Sequence, residues 1–142
     1  MPALSKRRQA AVAAARAAVG TRFRPQGRSI GLGLDCIGVA LLAAAAAGVI
    51  VPAVPAYALS GDHGDLLSDT LLSLGCRRVR RVQPGDLIEY RLAPGHRHLA
   101  VVSGAGTPPH IIHAHAGLGR VVECGAPPDW PVLACWALPG LR

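Results

Sequence analysis

No residue between Cys36 and Leu59 carries a charge, and this stretch limits the fold more sharply than any other feature of the chain. It must leave water, either into the protein's own interior or into a bilayer. A membrane-spanning helix needs about twenty unbroken apolar residues, whereas Pro52 and Pro55 interrupt this run after about sixteen. A secretion signal fits little better. Ala56-Tyr57-Ala58 has the small-x-small form of a cleavage site, but the leader before the run would be about 35 residues long, and cleavage would discard Cys36. The reading kept is a buried helix from Cys36 to about Gly48, with Ile37, Ala40, Leu41, Ala44 and Ala47 at helical spacing. Neither stable membrane insertion nor a convincing signal peptide is expected.

At 142 residues the chain fits a single domain, residues 1–142. Residues 5–18 are rich in helix formers, with Ser5 placed as N-cap and Gly20 just past the end. The stretch GTRFRPQGRSIGLG then reads as a loop whose glycines let backbone approach something closely. Residues 60–75 carry Leu67, Leu71 and Leu74 on one stripe and stop at Gly75. After that the period changes to two. QPGDLIEYRL, RHLAVVSG, HIIHAHAG, GRVVECG and VLACWALP are short strand-forming runs between Gly and Pro turns, the pattern of an antiparallel meander. A helical first half and a strand-rich second half predict an α+β domain, with the helices packed on one face of the sheet.

The net charge of +7 comes almost wholly from arginine, in residues 6–8, 22–28 and 77–81. Such a balance suits an anionic partner. No recognition-helix or zinc-finger pattern accompanies it, and few aromatic residues are free to stack on bases, so nucleic acid is not the expected partner. The cysteines at 36, 76, 124 and 135 show no CxxC spacing and read as separate reduced thiols.

Cys36 stands at the start of its helix, where the positive end of the helix dipole lowers a thiol pKa. A nucleophile also needs a base. Histidines lie in the strand half at 96, 98, 110, 113 and 115. In strands, His96 and His98 share a face, as do His113 and His115, which raises the rival reading of an imidazole metal site. That rival is weak, because His96 follows the turn residues Pro94 and Gly95 into solvent, His110 follows two prolines, and no carboxylate stands ready to orient the ligands. A metal site is therefore not the leading reading. His98 opens its strand and is the candidate base, with His113 on the next strand orienting it and His115 as a possible substitute. Asp86, Glu89 and Glu123 are expected to face solvent or cap turns, Arg97 to be solvated, and Trp130 and Trp136 to be core.

The order LDCIGVA, PGDLIEY, HLAVVSG and IIHAHAGLGRVVE resembles the NlpC-type (new lipoprotein C) cell-wall cysteine peptidases across residues 9–138. The resemblance implies a papain-like α+β fold and a catalytic set of Cys36, His98 and His113. It implies hydrolysis of amides in the stem peptides of peptidoglycan, typically between γ-D-glutamate and the diamino acid, without metal or cofactor. Asp35 matches the aspartate before the nucleophile, and Phe23 stands where many members carry a tyrosine near the substrate. Phe23, Arg28, Asp35 and His115 are thus the candidate substrate-binding residues. Ile37 and Ala100 replace the usual serine and glycine. The Asp-Cys-Ile-Gly form and the Ile-His-Ala…Val-Val-Glu ending are similar to the short members of phage tail modules and gene transfer agents. That likeness implies phage tail proteins as partners, and a chain held in the cytoplasm until particle assembly or release. Two alternatives remain, a catalytically silent tail component and a histidine-rich metal binder. Residues 52–75 are expected to pack as a lid or as ordinary core.

Overall fold

The computed structural model describes residues 4–50, 66–93 and 96–141. The first helix, α1 (Lys6–Ala17), begins at Ser5, whose hydroxyl accepts from the Arg8 amide at 3.2 Å. The apolar run gives α2 (Cys36–Ala46), with Asp35 as N-cap. Small side chains let α1 and α2 pack closely: Ala11, Ala15, Ala18, Ala43, Ala44 and Ala47 are all buried. Arg7 pins the pair, donating from Nε to the Ala47 carbonyl at 2.7 Å. Among the described residues no helix is long and apolar enough to cross a membrane.

Between α1 and α2 the glycine-rich stretch holds a two-strand hairpin, β1 (Arg28–Ser29) and β2 (Gly33–Leu34), where only a loop was expected. What its backbone approaches is the start of α2 itself. A Cβ on Gly38 would run into the Gly27 carbonyl, and one on Gly27 into the Gly33 carbonyl. The nucleophile helix and its preceding loop are thus pressed together through bare backbone.

Helix α3 (Leu66–Ser73) carries Leu67 and Leu71 into the core. The earlier part of the expected segment, residues 52–65, lies outside the described residues.

Strands β3 (Arg77–Arg78), β4 (Leu87–Ala93), β5 (His96–Gly104), β6 (His110–His115), β7 (Arg120–Gly125) and β8 (Val132–Ala137) form one antiparallel sheet in the order β3-β8-β4-β5-β6-β7. Only β4 to β7 is a meander. The last strand crosses back between β4 and β3, pairing Leu87 with Trp136 and Arg77 with Ala137. Strand β3 falls within the arginine-rich run of residues 77–81. There Arg78 lies over the Trp136 ring at 5.3 Å and Arg77 donates to the Leu141 carbonyl at 3.1 Å. Charged residues suit such an edge. At the opposite edge, residues 20–23 hydrogen-bond along β7 through Gly20–Val121, Val121–Thr21 and Phe23–Gly119.

The helices cover one sheet face, burying Leu87, Leu99, Val101, Ile112, Ala114, Val121 and Trp136 with them. A smaller cluster of Ile88, Tyr90, Ala100, Val102 and Ile111 on the other face lies under Ala126 and Trp130.

Glu89 and Arg97 are buried rather than in solvent, and Asp86, buried too, caps a turn as expected, accepting from the Gln83 amide at 2.8 Å. Asp86 accepts from Arg8 at 2.8 Å, locking α1 to the turn before β4. Glu89, wholly buried, accepts from the Ser68 hydroxyl at 2.9 Å, Trp136 Nε1 at 3.1 Å and Arg97 at 3.4 Å, so α3, β4, β5 and β8 meet on one carboxylate. Period-two patterning places Glu89 and Arg97 on the helix-facing side of the sheet, but the pattern does not reveal that they satisfy each other there. Glu123 stays near the surface, paired with Arg16 at 2.8 Å.

Candidate active site

Cys36 begins α2 because Asp35 ends the extended segment before it and caps the helix, its Oδ1 accepting from the Gly38 amide at 2.8 Å. The same carboxylate accepts from the Gln26 amide at 3.0 Å and from Arg28 at 2.7 Å. Asp35 therefore fixes the loop against the helix, a structural duty beyond the substrate contact expected of it. Arg28, expected to meet substrate, donates to Asp35 and to the Gly27 carbonyl and is not among the residues that line the cleft.

A cleft of about 320 Å³ opens where the head of α2 meets the ends of β5 and β6. Its walls include Phe23, Asp35, Cys36, His96, His98, His113, His115 and Trp130. His98 Nε2 lies 2.8 Å from His113 Nδ1, with the rings nearly perpendicular. His115 is a neighbour rather than a substitute. Its ring lies 5.5 Å from that of His113, and its Nδ1 accepts from the Leu118 amide at 3.0 Å. His96 also lines the cleft, half-buried, rather than standing in solvent, while His110 is exposed.

Two further residues belong to this site and were missed. Trp130, read as core, stands edge-on over His98 at 5.7 Å and His113 at 5.4 Å and lines the cleft. Cys124 Sγ lies 3.6 Å from His113 Nε2. Alternation along GRVVECG puts Cys124 on one face of its strand, but only the β6–β7 register, Ile111 opposite Cys124 and His113 opposite Val122, brings it beside His113. Trp130 sits outside any strand, where periodicity carries no information.

Electrostatics overturn the expectation of a lowered thiol pKa. Cys36 is only 3% exposed, and burial pushes its thiol up to about 12, with the Asp35 carboxylate adding to the rise. Backbone hydrogen bonds from Leu99 and Ile37, and the Arg28 charge, oppose this without overcoming it. The dipole of α2 is outweighed by the loss of water. Burial likewise drives His98 down to about 3, with the neighbouring histidines contributing, and His113 down to about 4, with His115 contributing. The resting site is a neutral thiol beside two neutral imidazoles.

Among the described residues no group of three His, Cys, Asp or Glu side chains converges as a metal site. His98 and His113 direct ring nitrogens at each other instead.

Solved structures share this architecture. The NlpC/p60 domain of the peptidoglycan hydrolase SagA superposes with a TM-score of 0.57 at 23% identity, over 83% of this chain and 88% of that one. The P60 domain of antigen MAP1204 from M. avium subspecies paratuberculosis gives 0.62 at 17% identity, over 94% of each chain. NlpC1 from Trichomonas vaginalis gives 0.67 at 17% identity, over 96% of this chain and 46% of the longer protein. The fold is that of an NlpC/p60 domain. No protein-family profile matches the sequence, and no curated relative matches it.

Proposed function

We propose that this chain is an NlpC-type cysteine peptidase that hydrolyses amide bonds in peptidoglycan stem peptides. The observation that carries the reading is one cleft holding Cys36 at a helix start and His98 bonded through Nε2 to His113. With Nε2 directed at His113, His98 keeps Nδ1 for the thiol proton. That assignment requires His98 to donate from Nε2 to His113 Nδ1, which leaves the His113 proton on Nε2, facing the Cys124 sulfur.

Because both partners rest neutral, the proton leaves Cys36 as the sulfur attacks the carbonyl carbon, and a tetrahedral oxyanion forms. With the Gly38 amide held by Asp35, the Cys36 and Ile37 amides at the head of α2 are the local source of oxyanion donors. The His98 imidazolium then protonates the departing amine, giving an acyl-enzyme. Water, deprotonated by His98, releases the acid and restores the thiol. Residues of this chain carry every step, so neither metal nor cofactor is invoked.

The bond between γ-D-glutamate and the diamino acid is the proposed target, on the strength of the Asp-Cys, His-Leu-Ala-Val and Ile-His-Ala motifs. Its Ile37 form supports the short phage-tail branch, with tail proteins as partners and delivery to the wall within a particle. Detection of the chain in purified particles tests that placement. Incubation with purified muropeptides tests the chemistry. Cys36→Ala and His98→Ala are each expected to lower cleavage by about a thousandfold or more while leaving the fold intact. Cleavage that survives Cys36→Ala overturns the proposal.

A further inference from the structure

Beside the cleft lies a second, larger depression of about 680 Å³, lined by Arg22, Arg24 and Arg120 with Ile30, Leu32 and Leu118 and a rim of glycines. No carboxylate contributes to its lining. Arg22 and Arg120 sit directly opposite each other in an isolated antiparallel bridge, an arrangement of like charges that costs stability rather than adding to it. Among the described residues none of the three guanidinium groups has a hydrogen-bond or ion-pair partner, although the backbones of Arg22 and Arg24 bond to that of Leu34; Asp35 holds Arg28 and Glu123 holds Arg16. Ile30, Leu32 and Leu118 are 49%, 69% and 58% exposed. Three unpartnered guanidinium groups and three exposed aliphatic side chains thus share one concave surface.

This groove and the cleft are continuous along the chain. Phe23, between Arg22 and Arg24, lines the cleft, and residues 115–117 line the cleft where residues 118–120 line the groove. We propose that the groove is a binding site for the carboxylate-bearing remainder of the substrate, holding acidic stem peptides of the wall polymer while the scissile amide lies at Cys36. Guanidinium forks match carboxylates, and the aliphatic side chains suit alanyl methyl groups. A nucleic acid fits less well, since no aromatic residue lines the groove for bases to stack on. The identity of the ligand, though not its charge, rests on the peptidase reading.

The test uses the full chain with Cys36→Ala, which holds the wall without cutting it, in a sedimentation assay with purified sacculi. Adding R22Q, R24Q and R120Q together is expected to weaken retention at least tenfold, and R120E alone to weaken it measurably. Retention of the parent is expected to fall with added salt and with amidation of the sacculus carboxylates. With Cys36 intact, the triple variant is expected to show at least a tenfold lower ratio of sacculus hydrolysis to hydrolysis of a short stem peptide. Undiminished retention by a triple variant with a native circular dichroism spectrum overturns the proposal. So does equal retention on amidated sacculi, or arginine-dependent displacement from sacculi by duplex DNA at lower concentration than by soluble stem peptides. If the unaltered chain cuts no wall substrate yet binds sacculi through these arginines, the groove stands and the peptidase reading falls.

Discussion

Two neutral imidazoles and a buried thiol define the chemistry at the scale of single residues. An enzyme resting as a thiolate–imidazolium pair alkylates readily at mildly acid pH. Here burial holds the Cys36 thiol up to about 12 and His98 down to about 3, so the alkylation rate of Cys36 is expected to climb steadily through pH 8 to 11 without an acid plateau. Iodoacetamide labelling read peptide by peptide checks this, and a plateau near pH 5 contradicts it. Cys124 is a positioning residue in the same scheme. Replacing it with valine strands the His113 Nε2 proton, and an unmet buried donor costs about 1–3 kcal/mol. Cys124→Val is therefore expected to lower kcat by about tenfold, a loss within that range. Cys124→Ser, which restores an acceptor, is expected to recover most of the loss. Equal kcat in the valine and parent proteins removes Cys124 from the mechanism.

Individual elements are held in place by single polar groups. Asp35 caps α2 and ties down Gln26 and Arg28. Asp35→Ala is expected to lower stability by about 1–2 kcal/mol from the cap alone, and a thermal melt should show a fall of several degrees. Activity falls too, because the helix start that aims Cys36 loses its anchor. Glu89 joins α3 to three strands. Glu89→Leu removes a buried acceptor from a charged network, a change that costs about 3–5 kcal/mol. Chemical denaturation is expected to show that loss, even though Glu89 is absent from the lining of the cleft.

For the whole molecule the buried histidines set the response to acid. His98 and His113 titrate near 6.5 when unfolded but only at about 3 and about 4 when folded, so protonation favours the unfolded chain. Stability is expected to be fully present above pH 6.5 and to fall steadily as the pH drops through 6 toward 4. Cys36 acts at the other end. Its folded pKa is raised from 9.0 to about 12, so stability falls as the pH climbs from 9 toward 12. Urea unfolding across pH 4 to 10 tests both limbs. His98→Asn is expected to flatten the acid limb in proportion to the proton it no longer takes up.

The three helices, the succession of the five longer strands and the helix start at Cys36 were legible in the sequence, because each rests on local periodicity; the pairing of His98 with His113 followed from placing two motif histidines on successive strands. Ser5 announces the start of α1 for the same reason: a cap acts within three residues of itself. Tertiary structure alone decided the crossing of β8 between β3 and β4, the burial of Glu89 and Arg97, and the placement of Trp130 and Cys124 against the imidazoles. It also set the protonation of the site. A helix dipole can be read from sequence, but the desolvation that overrides it depends on which distant segments close over the sulfur, and that is known only once the chain is packed.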